Sequence, residues 1–178
     1  MRNKVLILFT ILLLGITFLV VRHQYSSKSA SGGKRTIIGT EAPEIEVTDI
    51  HKNRVKLSKL KGSVIFINFW ASWCTSCIDE MPSIESLFRN MSGNPKFRVI
   101  TILYKDDRDR AFRYVKEKGY TFPIYGDPDG YAAKQFGITG VPETFIIDKN
   151  GILRNKIIGP SEWNSPYAIE SFLNLINE

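Results

Sequence analysis

The chain has 178 residues, of which 43% are apolar and 24% charged, so it can form one globular domain and is not a disordered chain. Its net charge of +6 comes from the first 36 residues, which contain six basic residues and no acidic residue. Residues 37–178 hold 18 basic and 18 acidic residues, and this neutral domain gives no support to a nucleic-acid partner.

The N-terminus predicts a membrane anchor. Val5–Val21 is a run of 17 residues without a charge, with Arg2 and Lys4 before it and Arg22 after it. As a helix this run would be about 25 Å long, which approaches the roughly 30 Å hydrocarbon core of a bilayer. Because the run is apolar on every face, a membrane helix is the preferred interpretation over a buried core helix.

A cleaved signal peptide is the closest alternative to this anchor. Ser29–Ser31 is a small-residue site, but it begins eight residues beyond the apolar run, and the charge of Arg22 disfavours cleavage. We therefore predict an uncleaved signal anchor over 1–23, a flexible stalk over 24–36 and a folded domain over 37–178. The positive charges before the run predict a cytoplasmic N-terminus, with the domain on the extracytoplasmic face of the cell membrane.

Apolar patterning predicts the first elements of the folded domain. Alternation on both sides of Asp49–Asn53 indicates an N-terminal β-hairpin, and a short helical turn is expected over 58–61. The nearly continuous apolar run Val64–Trp70 is typical of a central strand buried on both faces. A helix is expected over 74–90, and Pro82 within it should kink it.

The second half of the domain continues the alternation of strands and helices. The remaining predicted elements, in chain order, are a strand, a helix, a short helix, a hairpin of two strands and a last helix: Phe97–Tyr104, Asp107–Lys118, Tyr131–Phe136, Thr144–Asp148 with Ile152–Ile158, and Ser165–Ile176. The hairpin is indicated by Asn150-Gly151, a dipeptide typical of tight β-turns. The order β–α–β–α–α–β–β–α predicts an α/β fold in which helices cover a mixed sheet.

The two cysteines form the motif Cys74-Thr75-Ser76-Cys77 between the buried strand and the helix. The free N–H groups and partial positive charge of a helix N-terminus favour a thiolate there. Cys74 is then the exposed nucleophile, and Cys77, one turn later, can attack a mixed disulfide and release the substrate. A zinc half-site would need two more ligands, and a purely structural disulfide in so small a ring would stabilise little, so redox chemistry is the preferred interpretation.

Four stretches of the chain resemble one protein family. They are the motif Phe69–Cys77 and the segments Gly39–Pro43, Leu57–Gly62 and Gly140–Asp148. The motif resembles the active-site signature of the thioredoxin superfamily, and residues 37–177 as a whole resemble its membrane-anchored TlpA/ResA/CcmG (DsbE) branch. This resemblance implies a thioredoxin-like fold with an N-terminal β-hairpin extension and a central helical insertion, preceded by one N-terminal transmembrane helix.

The resemblance also implies roles at the site. Cys74 is the attacking thiol and Cys77 the resolving one, and their redox-active disulfide acts without a further cofactor and without a metal. Pro142 corresponds to a loop proline that follows a cis peptide bond, lies against the dithiol and leaves the backbone of Val141 free to pair with an extended substrate. An ordinary proline at the entry of a strand is the alternative. Trp73, beside Cys74, is expected to line the substrate groove.

Two acidic residues complete the predicted site. The ResA-like branch has an acid three residues after the second cysteine, and Glu80 holds that position, one helical turn beyond Cys77. A partly buried carboxylate with a raised pKa could accept the proton of the Cys77 thiol, and a solvated Glu is the alternative. Asn68 stands where cytosolic thioredoxin has a buried Asp. Glu143 follows the proline as in the cytochrome c maturation reductants, and either contacts the substrate or pairs with a nearby base.

The resemblance implies a protein-disulfide oxidoreductase that reduces exported proteins. The implied substrate is the Cys-x-x-Cys-His disulfide of apocytochrome c during cytochrome c maturation, and the implied electron donor is a membrane thiol transporter of the CcdA or DsbD kind. A general disulfide reductant, an oxidant or isomerase, and a non-enzymatic holdase or binding module are the alternatives. Because Thr75-Ser76 differs from the dipeptides familiar in relatives, the sequence does not fix the redox potential.

Overall fold

The structure is a computed structural model, and it describes residues 13–18 and 36–178. Residues 13–18 are helical. The rest of the predicted anchor over 1–23, and the predicted stalk up to residue 35, lie outside the described residues. Among the residues that are described, no helix combines the length and the apolar character that crossing a bilayer requires.

Residues 36–178 form an α/β unit. Its strands are β1 (Glu46–Asp49), β2 (Arg54–Lys56), β3 (Val64–Trp70), β4 (Phe97–Leu103), β5 (Ile124–Gly126), β6 (Glu143–Ile147) and β7 (Leu153–Ile158). Its helices are α1 (Thr75–Met91), α2 (Arg108–Glu117), α3 (Tyr131–Phe136) and α4 (Pro166–Asn177), with a 3-10 turn over Leu57–Leu60. The predicted order of elements is confirmed except for β5, which is too short to show a hydrophobic period in the sequence.

The strands form one mixed sheet in the order β2-β1-β5-β4-β3-β6-β7. β3 pairs parallel with β4 and antiparallel with β6. β1 and β2 form the predicted N-terminal hairpin, and β1 joins the sheet through β5. The predicted β6–β7 hairpin is also confirmed, with Gly151 in its turn at a φ of +83°, which favours glycine. β5 and α3 lie between α2 and β6 and form the predicted central insertion.

Apolar side chains cover both faces of the central strand β3, whose seven residues are all buried. On one face the ring of Phe66 packs edge-on against Trp163, with centroids 4.9 Å apart. On the other face Phe69 packs against Phe136 of α3, with centroids 5.7 Å apart. Each large apolar side chain that is fully buried stabilises the fold by about 1.5–3 kcal/mol. The carboxyl end of β3 is therefore firmly held, and the chain passes directly from it into the loop that carries the cysteines.

Candidate active site

The two cysteines lie at the N-terminus of α1 and form a disulfide, with their Cα atoms 5.3 Å apart. Cys74 is the N-cap of the helix, one position before its first residue, and its backbone is extended at φ −95° and ψ 106°. The N–H groups of Cys77 and Ile78 donate to the Cys74 carbonyl oxygen at 3.1 Å, and the Cys77 N–H also points at Cys74 Sγ at 3.2 Å. This geometry places the Cys74 sulfur at the positive end of the helix dipole, which favours its thiolate.

The two sulfurs differ in depth. Cys77 is fully buried, whereas Cys74 retains 7% exposure. The prediction of an exposed Cys74 is therefore wrong, because Val141 and Ser76 pack against the sulfur. The Val141 carbonyl oxygen and the Ser76 hydroxyl each lie 3.5 Å from Cys74 Sγ. The predicted order of depth is retained, since Cys74 is the cysteine that keeps contact with solvent.

A proline loop lies against the disulfide. The Val141–Pro142 peptide bond is cis, Pro142 is buried and Val141 is half-buried. The Pro142 carbonyl oxygen accepts the Gly159 N–H at 2.9 Å, so the loop is tied to the end of β7. The loop therefore has the cis bond that the resemblance implies, and the Val141 carbonyl oxygen lies 3.5 Å from Cys74 Sγ.

Trp73 presents a fixed aromatic ring next to Cys74. Its side chain is 53% exposed, and its indole N–H donates to the Lys105 carbonyl oxygen at 3.1 Å. Lys105 has a φ of +47°, in the left-handed region that a side chain other than glycine rarely adopts. An exposed aromatic ring that is held in one place offers a partner apolar contact area at a small loss of conformational freedom.

Asp106, in the loop after β4, holds the loop that leads into Cys74. Its side chain is fully buried, and it accepts hydrogen bonds from the Ser72 backbone N–H and the Arg110 guanidinium. Arg110 also donates from Nε to the Ser72 hydroxyl at 3.1 Å. Burial by itself would raise the pKa of Asp106, but the hydrogen bonds from Arg110 and Ser72 outweigh it and lower that pKa below its ordinary value. Asp106 is therefore a stable carboxylate.

Glu80 lies behind the dithiol, one helical turn beyond Cys77, and is only 3% exposed. The alternative of a solvated Glu is therefore wrong. Its Oε1 accepts from Asn68 Nδ2 at 2.8 Å, and its Oε2 accepts from Trp163 Nε1 and the Ser161 N–H, each at 3.1 Å. Burial raises the pKa of Glu80 above its ordinary value, and these hydrogen bonds counteract only part of that effect.

Glu143, the other predicted acid, is buried at the start of β6 with 1% exposure. Its Oε2 lies 2.8 Å from Lys156 Nζ, and its Oε1 accepts the Thr139 N–H at 3.3 Å. These contacts match the alternative in which Glu143 pairs with a nearby base. The contact with Thr139 links the two ends of the proline loop, and the contact with Lys156 links the loop to β7. The buried Glu143 carboxylate is not exposed for a substrate to touch.

Several site residues were missed by sequence reasoning: Asp106, Arg110, Ser161, Trp163 and Lys156. Asp106 had a usable signal, because it closely follows a buried strand that pairs parallel with the strand before the cysteines, and the carboxyl ends of such strands meet. Trp163 had none, since its partner Glu80 lies 83 positions earlier in the chain.

A cysteine pair at a helix N-terminus, facing a cis-proline loop on a mixed sheet, defines a protein-disulfide oxidoreductase of the thioredoxin-like class. In this class the cysteine pair carries the redox chemistry itself. Across residues 13–18 and 36–178, no group of three or more His, Cys, Asp or Glu side chains is placed to hold a metal ion.

Comparisons with known proteins agree with this class. Residues 38–156 match the AhpC/TSA family. The chain is 33% identical over 165 residues to the thiol-disulfide oxidoreductase ResA of Bacillus cereus, covering 89% of this chain and 90% of that protein. It is 37% identical over 128 residues to the thiol:disulfide interchange protein DsbE of Allochromatium vinosum, covering 70% of this chain and 68% of that protein.

A solved structure shares the fold. The crystal structure of a thioredoxin family thiol:disulfide interchange protein from Chlorobium tepidum matches with a TM-score of 0.66, over 77% of this chain and 98% of that one, at 23% identity. The chain belongs to the AhpC/TSA family, and within it to the thiol–disulfide oxidoreductases of the ResA and DsbE type.

Proposed function

We propose that this protein reduces disulfides of exported proteins on the extracytoplasmic face of the cell membrane, with apocytochrome c as its principal substrate. Residues 1–23 anchor it in the membrane, 24–36 form a stalk, and 37–178 carry the chemistry. A membrane thiol transporter of the CcdA or DsbD type returns electrons to its cysteines. The resemblance of Pro142-Glu143-Thr144 to the corresponding loop of the cytochrome c maturation reductants, and the similarity to ResA and DsbE proteins, support this proposal.

The observation that carries the proposal is the arrangement of two sulfurs at different depths at one helix end. In the first step the Cys74 thiolate attacks one sulfur of the substrate disulfide, whose S–S bond breaks as a bond to Cys74 Sγ forms. The other substrate sulfur leaves as a thiolate. Trp73 and the backbone of Val141 flank Cys74 and bind the substrate chain during this step.

In the second step the Cys77 thiol gives its proton to Glu80, and the Cys77 sulfur attacks Cys74 Sγ. The mixed disulfide breaks, and the second substrate sulfur leaves as a thiolate. The substrate has then gained two electrons, its two thiolates take up protons from Glu80 and from water, and the Cys74–Cys77 disulfide seen in the structure is formed.

Oxidation or isomerisation of exported proteins is the second candidate, and one contact favours it. The Ser76 hydroxyl lies 3.5 Å from Cys74 Sγ, where it can donate a hydrogen bond to a thiolate. A donor that stabilises the thiolate also stabilises the reduced form, which makes a cysteine pair more oxidising.

Equilibration of the full chain with glutathione separates the two candidates. A reductase should give a reversible two-electron couple with a potential nearer about −270 mV than about −120 mV, the values of a typical reductant and of a strong oxidant. A potential close to the oxidant value would reject the reductase and favour the second candidate.

Trapping identifies the substrate. Cys77→Ser should stall the mixed disulfide on Cys74, and Cys74→Ser is the matched control, because it leaves only the buried sulfur and should trap nothing. Incubated with an oxidised Cys-x-x-Cys-His peptide, the Cys77→Ser chain should form a covalent adduct faster than with a peptide whose two cysteines lie far apart. Equal rates would favour a general disulfide reductant.

A further inference from the structure

Asn68 is a buried polar side chain in β3, with 1% exposure, and it faces Glu80 across the interface between the strand and α1. Its Nδ2 donates to Glu80 Oε1 at 2.8 Å and to Thr144 Oγ1 at 2.9 Å. Its Oδ1 is buried and has no hydrogen-bond partner among the residues that the structure describes. Buried polar atoms are nearly always paired, so this acceptor requires an explanation.

The two oxygens of Glu80 differ in whether they can carry a proton. Oε2 accepts the Ser161 N–H and the Trp163 indole N–H. Amide and indole N–H groups are donors only, so a proton on Oε2 would face two groups that cannot accept it. A proton that reaches Glu80 therefore belongs on Oε1, where Asn68 is the hydrogen-bond partner.

We propose that the Asn68 side-chain amide turns by about 180° when Glu80 is protonated, so that it matches both forms of the carboxyl group. Beside the carboxylate, Nδ2 donates to Oε1, as in the structure. Beside the neutral acid, Oδ1 takes the place of Nδ2 and accepts from the Glu80 O–H. The Thr144 hydroxyl, which both donates and accepts, then donates to the same Oδ1. Oδ1, unpaired beside the carboxylate, is thereby paired beside the acid, and the Nδ2 hydrogens move to the position that Oδ1 occupied.

Other groups around Glu80 do not replace Asn68 in this role. The elements around it carry Cys77, Asp79, Glu85 and Arg89 on α1, Glu162 before α4, Glu143 on β6, and Arg154 and Lys156 on β7. Glu85 pairs with Arg89, and Arg154 pairs with Asp148. Asp79 and Glu162 are exposed, and Glu143 pairs with Lys156. Cys77, buried on the same helix one turn before Glu80, is the group that the proposed function gives as its proton donor.

This inference rests on the proposed function, in which Glu80 accepts the Cys77 proton. Asn68 is a positioning residue, because it acts on the dithiol through Glu80. An amide that can present either a donor or an acceptor allows Glu80 to take up and release a proton in each catalytic cycle. An Asp at this position would instead place a second carboxylate beside Glu80 and compete for the same proton.

The direct test follows the side-chain amide of Asn68 by NMR in the reduced full chain, labelled with ¹⁵N-asparagine. Its signals should change with pH at one midpoint above the ordinary Glu value of about 4.3. Nuclear Overhauser contacts from the Nδ2 hydrogens to Thr144 should be present above this midpoint and weaken below it. Glu80→Gln should abolish the midpoint.

Asn53 provides an internal control in the same spectra. Its Nδ2 donates to Asp49 Oδ2 at 2.9 Å on the surface, so it forms the same kind of pair in water. The hydrogen bond to Asn53 outweighs desolvation and lowers the pKa of Asp49, so the Asn53 amide should respond only in the acidic range. Constant Overhauser contacts at Asn68 across the Glu80 midpoint, or the absence of any such midpoint, would overturn the inference.

A variant adds a functional readout. Asn68→Leu removes the donor to the Glu80 carboxylate, so the midpoint of thiol reactivity that depends on Glu80 should rise by about one pH unit or more. Thr144→Val keeps that donor and should shift the midpoint less. An unshifted midpoint in Asn68→Leu contradicts the role, and if this variant does not fold, the spectra of the unaltered chain decide. Failure of the proposed function is distinguishable, because it appears in the glutathione equilibration as a potential close to that of a strong oxidant or as the absence of a dithiol couple.

Discussion

Two buried carboxylates near the disulfide differ in one respect of their surroundings. Asp106, bound to the loop that leads into Cys74, accepts from a backbone N–H and from the guanidinium of Arg110. Glu80, behind Cys77, accepts three hydrogen bonds from neutral donors, none of them a cation. Both side chains are almost completely excluded from solvent.

The difference shows how one fold separates anchoring from proton transfer. The pKa of Asp106 lies below its ordinary value because Arg110 and Ser72 stabilise the charge, whereas burial raises the pKa of Glu80 without a compensating cation. Asp106 can therefore hold a loop as a permanent anion, and Glu80 can take up a proton more readily than an ordinary Glu. Pairs of acids whose pKa values are pushed apart are typical of sites that assign them different roles.

The largest expected effect is that of Glu80→Gln on exchange. Without a proton acceptor near Cys77, the resolving step should slow by about 10²–10⁴-fold, the usual contribution of a general base. The acid limb of the pH profile of the exchange rate should disappear in the same variant. Stopped-flow measurement of mixed-disulfide decay between about pH 5 and pH 9 gives both quantities.

Glu85→Gln is the matched control for this variant. Glu85 is also a buried acid of α1, but its hydrogen bonds from Thr121 and Arg89 outweigh burial and lower its pKa. This change should reduce stability and leave the pH profile of exchange in place. If the pH profile of exchange changed equally in both variants, Glu80 would not differ in role from the buried acids that only stabilise the fold.

The next effect concerns stability at Asp106. Asp106→Asn should lower the free energy of unfolding by about 1–3 kcal/mol at pH 7, because charged hydrogen bonds to Ser72 and Arg110 are weakened. Arg110 is about half exposed, so the ion pair itself contributes the smaller part. Urea unfolding measures the loss. If the acid limb of the pH profile of exchange changed as much in Asp106→Asn as in Glu80→Gln, Asp106 would also transfer protons. That result would contradict the separation of roles between the two acids.

The two acids should also give stability profiles of opposite sign. The lowered pKa of Asp106 stabilises the fold above the unfolded value of about 3.9, and this contribution is lost as pH falls through the folded value. The raised pKa of Glu80 makes stability decline as pH rises from about 4.3 through the folded value. The free energy of unfolding of Asp106→Asn should therefore fall further below that of the unaltered chain as pH rises. That of Glu80→Gln should increase relative to the unaltered chain as pH rises. Curves parallel to that of the unaltered chain would contradict this.

The smallest effect is expected at the surface. Trp73→Ala should change stability by less than about 1 kcal/mol, since the ring is half exposed, but should slow exchange with a protein disulfide by up to about tenfold. Exchange with a small disulfide such as oxidised glutathione should change little. Tyr167→Ala on α4 removes a still more exposed ring and serves as the control. Equal slowing in both variants would contradict the proposed position of Trp73 in the substrate groove.

The central strand, the cysteine pair and the β6–β7 turn could be predicted because their sequence signals are local. The run Val64–Trp70, the cysteine spacing and the turn at Asn150-Gly151 each leave a signal within a few residues, and the structure confirms these elements. The three-residue strand β5 leaves no such signal and was missed.

The electrostatics of the site could not be predicted in the same way, because its partners are distant in the chain. Ser72 and Asp106 are 34 positions apart, and Glu80 and Trp163 are 83 apart. The burial of Cys74 likewise depends on Val141, 67 positions away. The helix predicted an exposed nucleophile at its tip, and only the folded loop shows how far that sulfur is enclosed.

The most direct measurement is a ¹³C NMR titration of the Glu80 and Asp106 carboxyl carbons in the reduced full chain. We expect Glu80 to titrate above the ordinary Glu value of about 4.3 and Asp106 below the ordinary Asp value of about 3.9. A Glu80 carboxyl that titrates at or below its ordinary value would rule out its role as the acceptor of the Cys77 proton, because burial would then not favour its protonated form.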